Sequence, residues 1–327
     1  MSGKKGCGRG IVPLMAIFFD GISALECYRG IGSAVAKLGS AKRYAREFEG
    51  SSPHAEELAR IAEGLPQSGP VRLVVASPSK RCRVRNVSCR AFASPVPKAA
   101  FVRLTEGVYA CSPAFAFVRS ALEVELVDLV KLGFEITGSY RLAPTSEQGF
   151  LSASPLATCR QLDAFSSQSR LPGARKAANA LKFVIPGSAS PMETALSMML
   201  TMPNAKGGYG LPSPQLNAAV DVSRADWRVA FGRQFRCDLL WLEAGFAVEY
   251  DSDMFHASSA KIAQDAKRRN ALSSLGITVL TVTRAQFSSI HGLDQVASQV
   301  ARGIGARVRM ERVNRAAQRK LLACVLG

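Results

Sequence analysis

The stretch from Gln234 to Val282 constrains the fold more than any other part of the chain, because its apolar residues switch from strand-like to helix-like spacing and back. Gln234 to Trp241 and Phe246 to Tyr250 are strand-length and rich in apolar residues. They are separated by the tight turn Glu243-Ala244-Gly245, a connection so short that the two strands must pair as an antiparallel hairpin. Ser259 to Leu275 then reads as a helix closed by Gly276 at its C′ position, Ile277 to Val282 as a β-branched strand, and Leu293 to Ile304 as a last helix. Upstream, Ser190, Pro191 and Glu193 occupy the N-cap, N1 and N3 positions of a helix running to Met202. Between that helix and the first strand lie the turn-rich Pro203 to Pro214 and a polar segment with Arg224, Arg228 and Arg233. Helix, two strands, helix, strand, helix packs as a compact α/β sandwich.

Carboxylates stand where such strands need apolar side chains. On the first strand Asp238 points away from its neighbours Cys237 and Leu239; on the second, Glu249 and Asp251 share one face while Val248 and Tyr250 share the other. Pairing as a hairpin lets these three acids converge. Converging carboxylates repel one another unless a cation sits among them. With only three histidines in the chain, oxygen-only ligation suits Mg²⁺ or Mn²⁺ rather than Zn²⁺.

The run from Arg236 to His256, followed by Lys261 to Phe287, resembles the Vsr-like (very-short-patch-repair-like) branch of the PD-(D/E)XK endonuclease domains. That family has an Asp on one strand, Glu-x-Asp on the next, a nearby His, a helix with Asp-x-x-Arg and a final apolar strand. The segment from Ser190 to Leu200 is similar to the family's first core helix, with its acid at Glu193. The resemblance covers residues 188 to 290. It implies a restriction-endonuclease-like α/β core in which Asp238 and Glu249 ligate the metal and Glu193 supports the site. One departure stands out: the family-wide Lys two residues after the strand Glu is Asp251 here. A substitute cation or proton carrier then has to come from His256, Lys261 or Arg268. Glu193 has a purely local reading too, as the partner of Ser190 in a capping box. Asp265 and Arg268, three apart on one helix, read equally as an i,i+3 ion pair.

Residues 1–142 read as a small α+β domain. Lys4, Lys5 and Arg9 precede the apolar run Ile11 to Phe19 as in a secretory signal, but Asp20 ends the run and no small-x-small cleavage site follows, so a buried strand is expected. A helix capped by Ser23 follows, then a strand at Val71 to Ala76. Arg81, Arg83 and Arg85 alternate with Cys82 and Val84, which predicts a strand with three guanidiniums on one face, either a phosphate-following edge or a charged edge that resists pairing. Phe101 to Leu104 and Val108 to Ala110 form a hairpin, and Ser112-Pro113 opens a helix carrying Phe115, Val118, Leu122 and Leu126. The run from Ser94 to Phe117 resembles AbiEi-type antitoxins, which implies DNA binding by this domain. Residues 143–187 are expected to hold a linker near 143–155 and two lead-in helices, Leu156 to Phe165 and Arg175 to Phe183. Residues 188–310 form the nuclease-like domain. Residues 311–327 end a basic tail in which Arg312 and Arg315 could lie along a nucleic-acid backbone.

Charge names the partner class. Forty-two Lys and Arg against 25 Asp and Glu give a net charge of +17, which favours polyanions through counterion release. Arg81, Arg83, Arg85, Lys261, Arg268, Arg269, Arg312 and Arg315 are the expected DNA contacts. The eight cysteines include no C-x-x-C pair, which reads as reduced packing residues in a cytoplasmic protein, and no apolar stretch is long enough to span a membrane. The resulting expectation is a Mg²⁺- or Mn²⁺-dependent DNA endonuclease, with Asp238 and Glu249 as metal ligands, Glu193, Asp251 and His256 completing the site, and a non-catalytic nucleic-acid-binding regulator or antitoxin-like module as the alternative.

Overall fold

The computed structural model describes residues 16–51, 53, 58, 69–168, 170–221, 234–251 and 259–326. The chain is mixed α/β and divides into two compact units, residues 1–123 with 164–175, and residues 124–163 with 176–327.

The first unit is built on a five-stranded mixed sheet of β1 (Ile17–Phe19), β2 (Val71–Val75), β3 (Val87–Ala91), β4 (Phe101–Thr105) and β5 (Val108–Cys111), in the order β3-β2-β1-β5-β4. Its core is aromatic: Phe18 sits in the central strand with the rings of Phe48, Phe101 and Tyr109 around it at 4.6–5.1 Å between centroids. Helix α1 (Gly21–Ile31) leaves directly from β1, and α2 (Ala45–Gly50) carries Phe48. Ser23 does not cap α1; its hydroxyl instead accepts from the Arg72 N–H at 3.0 Å, which ties the helix to β2. The N-cap is Asp20, whose carboxylate is committed elsewhere. Arg119 Nε donates to Asp20 Oδ1 at 2.7 Å and the guanidinium closes a second bond on Oδ2, both residues being 1% exposed. Breaking such a buried pair on one side costs about 3–5 kcal/mol.

Ser112 does cap α3 (Pro113–Ser120), accepting from the Phe115 N–H at 3.4 Å. The expected single helix through Leu126 is two helices, because the chain turns after Ser120 and restarts as α4 (Leu126–Thr137); Leu122, counted on the apolar face, is 38% exposed. Arg81, Arg83 and Arg85 are exposed and Cys82 and Val84 half-buried, as alternation predicts, yet the segment is not a strand: the ladder begins only at Val87.

In the second unit a hairpin of β6 (Tyr140–Leu142) and β7 (Phe150–Ser152) occupies the stretch read as linker. Helices α5 (Cys159–Ser166) and α6 (Ala174–Leu181) follow, α5 passing at Asp163 from the second unit to the first. Helix α7 (Pro191–Thr201) precedes a four-stranded sheet of β8 (Gln215–Asp221), β9 (Gln234–Trp241), β10 (Phe246–Asp251) and β11 (Thr278–Thr283), ordered β11-β10-β9-β8. β8, β9 and β10 run antiparallel, and β11 pairs parallel with β10. A parallel pair needs a crossover, supplied by α8 (Ser259–Ser274). Gly245 in the β9–β10 turn and Gly276 after α8 have φ of 57° and 76°, the left-handed conformation that glycine reaches without a Cβ penalty. Cys237, Leu240, Ala247, Leu272 and Ile277 form a buried cluster between sheet and α8.

The short α9 (Arg284–Phe287) and α10 (Ile290–Gly303) complete the sandwich. The basic tail is no free extension. Its helix α11 (Arg315–Leu326) buries Gln318, Leu321, Leu322 and Val325 and packs on α7 and α4. Among the described residues no helix is long and apolar enough to cross a membrane.

Candidate active site

Asp238 stands at a flaw in the sheet. The β8–β9 ladder pairs Leu216 with Leu239 and Ala218 with Cys237 but skips the positions between, Asn217 and Asp238; the β9–β10 ladder ends at Leu239 opposite Val248. Asn217 has φ 47°, a left-handed conformation uncommon for a non-glycine residue inside a strand. Freed from regular pairing, Asp238 turns its carboxylate along the sheet, and Oδ2 accepts the Tyr250 N–H at 2.9 Å. The β9–β10 register, extended by one residue, sets Asp238 opposite Glu249.

Glu249 is half-buried and held by α8. Arg268 Nη1 donates to Glu249 Oε2 at 2.9 Å and Nη2 stands 2.6 Å from Oε1 as an ion pair, while Nη2 donates its hydrogen bond to the Arg236 carbonyl. Arg268 is thus committed to Glu249 on the neighbouring strand. The other acid arrives from the opposite element: α7 packs on β9 and brings Glu193, 8% exposed, into the field of Asp238. Glu193 Oε2 accepts the Ala189 N–H at 2.7 Å while Ser190 Oγ accepts the Glu193 N–H at 3.1 Å, a capping arrangement shifted by one residue from the expected box.

Burial pushes the Glu193 carboxyl up to about 7, and the negative charge of Asp238 adds to that rise. Asp238 is also raised, by burial first, against the pull of the Tyr250 N–H and the Arg268 charge. Both acids are thus raised where they sit, and the charge of Asp238 bears on Glu193. The donors are carboxylate oxygens alone, the set that hard divalent ions prefer. Glu249 fits less simply, since it is already ion-paired with Arg268. Among the described residues no group of three or more His, Cys, Asp or Glu side chains is gathered closely enough to form a metal cage.

The remaining expected residues scatter. Asp251 is half-buried and paired in the ladder with Thr283, beyond Glu249. His256 lies outside the described residues, as do the side chains of Lys261 and Asp265. Arg269 and Arg312 are exposed. Arg315 is bound to Asp294 at 2.8 Å, where Tyr209 also donates at 2.7 Å, so it ties α11 to α10 rather than standing free for phosphate. Arg81, Arg83 and Arg85 belong to the first unit. Sequence reasoning missed two residues that shape the site. Asn217 carries no signal beyond being a turn-former inside a strand; Tyr250 acts through its backbone N–H, which no side-chain pattern encodes.

Searches against models of known protein families, curated proteins and solved structures found no match for this chain.

Proposed function

We propose that the second unit is a PD-(D/E)XK-type nuclease core that hydrolyses DNA phosphodiester bonds with Mg²⁺ or Mn²⁺. The observation that carries this reading is Asp238, at the skipped position of the β8–β9 ladder, opposite Glu249 in the extended β9–β10 register and close enough to Glu193 for its charge to raise that carboxyl. The order α7, β9, β10, α8, β11 is the order that the family resemblance implies, with β8 added between α7 and β9.

In this reading Asp238 is the shared ligand, with Glu193 on one side and Glu249 on the other. A divalent cation bound there supplies a Lewis acid for the scissile phosphate and a water of lowered pKa. Glu249 joins the ligand set only when Arg268 releases it. Arg268 then stands beside the phosphate, as the cation that Asp251 does not provide. Asp238, fixed by the Tyr250 N–H, keeps one oxygen directed at the site. The net charge of +17 draws the DNA, and a cytoplasmic location gives access to it.

A second reading rests on the Arg268–Glu249 pair, which neutralises Glu249 without any metal and so suits a DNA-binding module that does not cut. The two are separated by nicking assays on supercoiled DNA with Mg²⁺ and Mn²⁺, beside calorimetric metal titration, for wild type, Asp238→Asn and Glu249→Gln. The nuclease reading expects cleavage by wild type and losses of orders of magnitude in both variants, with DNA affinity kept. Wild-type protein that binds DNA but neither binds metal nor cuts overturns it in favour of the binding module.

A further inference from the structure

A pair of thiols in the first unit has no part in the site above. From the helical turn Pro78–Lys80 the chain runs through residues 81–84, turns at Arg85-Asn86 and enters β3. The Val87 N–H closes the turn by donating to the Val84 carbonyl at 3.2 Å, and Asn86 takes a left-handed φ of 60°. Counting outward from that closure sets Cys82 opposite Cys89. Their sulfurs lie 3.6 Å apart, and both residues are half-buried. Among the described residues no other two thiols touch.

The arm that carries Cys82 is weakly held. β3 is an edge strand whose ladder partner is β2, so among the described residues the arm is in no ladder. It also has one chemical character. Every charged residue from 69 to 105 is basic. Arg72 and Arg90 are neutralised by Glu123, whereas among the described residues no carboxylate pairs with Arg81, Arg83 or Arg85. Those three guanidiniums point to solvent while Cys82 and Val84 face inward.

We propose that Cys82 and Cys89 are a reversible dithiol–disulfide pair that pins the arginine arm 81–85 to the sheet edge. A disulfide needs its sulfurs at about 2.05 Å, so the pair must close by roughly 1.5 Å. An arm free on its outer side can make that movement. The oxidant is a low-molecular-weight disulfide such as oxidised glutathione. One cysteine thiolate attacks a glutathione sulfur and expels a glutathione thiolate. The second cysteine thiolate then attacks the mixed disulfide, forms the Cys82–Cys89 bond and expels the other glutathione. The two protein thiols lose two electrons and two protons, and oxidised glutathione becomes two reduced molecules. Burial and the hydrogen bond with Cys89 raise the Cys82 thiol, and either thiolate can make the first attack. Pinning the arm presents its guanidiniums in one arrangement, which raises affinity for a phosphate backbone by removing ordering cost; that consequence rests on the DNA reading above.

The full-length protein is oxidised with oxidised glutathione, reduced again with dithiothreitol, and mapped by mass spectrometry after non-reducing trypsin digestion. The expected product joins the Cys82-Arg83 dipeptide to the peptide Asn86 to Arg90. In the folded protein, limited trypsin cleavage at Arg81, Arg83 and Arg85 should slow severalfold on oxidation and recover on reduction, while Cys82→Ser and Cys89→Ser keep the reduced rate throughout. Glutathione adducts at both cysteines without closure, or a mapped disulfide with unchanged cleavage of the arm, overturns the proposal. DNA affinity is measured in both redox states. A severalfold rise on oxidation, absent in Cys82→Ser, supports the link to DNA. No binding in either state counts against the DNA reading and leaves the thiol pair to the proteolysis result.

Discussion

Glu193→Gln tests whether the candidate site holds a cation, through a quantity that needs no substrate. The Glu193 carboxyl, ordinarily near 4.5, is pushed up to about 7 by burial and by Asp238. The folded state therefore binds this proton more tightly than the unfolded chain does. Below pH 4.5 both states are protonated and the group costs nothing. Between pH 4.5 and 7 the unfolded chain has released the proton while the folded protein keeps it, so stability falls as pH rises, and it levels off above 7. Two and a half pH units at about 1.36 kcal/mol each give a loss on the order of 3 kcal/mol by pH 8. Glutamine keeps an oxygen to accept the Ala189 N–H and removes the charge. Urea unfolding of wild type and variant from pH 4 to 8, followed by tryptophan fluorescence, should give curves that separate through that window, with the variant more stable at pH 8 by up to about 3 kcal/mol. Added Mg²⁺ at pH 8 should recover much of the loss in wild type and little in the variant. Parallel stability curves for the two proteins would refute the argument, since Glu193 would then not be titrating beside Asp238.

Arg268→Ala removes the hydrogen-bonded, ion-paired partner of half-buried Glu249 and should destabilise the protein by about 1–3 kcal/mol in chemical unfolding, while tightening Mg²⁺ binding in calorimetry because Glu249 is released. Arg268→Lys keeps the charge without the second donor that reaches the Arg236 carbonyl and should fall between wild type and alanine on both measures. Leu321→Ala, at a position 1% exposed on α11, should cost about 2–5 kcal/mol in thermal or urea unfolding, as expected of a docked helix and not of a solvated tail. Replacing Arg81, Arg83 and Arg85 together with alanine should flatten the dependence of log DNA affinity on log salt by up to about 2.7 if all three meet phosphates, read by fluorescence anisotropy.

What the sequence made legible follows from how locally each signal is written. The β9–β10 hairpin, α8 with Gly276 after it, and β11 came through because a short turn, a C′ glycine and a β-branched run are each encoded within a few neighbouring residues. Strand β8 did not. Gln215-Leu216-Asn217-Ala218-Ala219 has little strand propensity, and pairing with β9 holds it in place. The arginine arm shows the converse: alternation predicted which side chains face out, but a strand also needs a partner, and β3 pairs with β2. The tail misled because its basic residues are dense while its apolar residues, Leu321, Leu322 and Val325, come late. At the site, the acids were visible as charges inside apolar strands. Their partners were not, because Arg268 reaches Glu249 from a helix and Glu193 meets Asp238 only once α7 packs on β9.

The first unit is discontinuous in sequence, and that has a consequence for how the protein can be made or dissected. Residues 164–175 belong to it although 124–163 belong to the other unit. They bring Phe165, whose ring lies 5.5 Å from that of Phe115, and Gly173, where a Cβ would meet the Val118 carbonyl oxygen at 2.3 Å. During synthesis from the N-terminus, that part of the first core emerges only after residues 124–163, so the first unit can close only once this piece of the second has also emerged. A gene cut once after codon 123 yields two pieces, one lacking the cover for Phe115 and the other carrying an orphaned loop. A faithful excision instead needs two joints, one linking 123 to 164 and one ending the chain after 175.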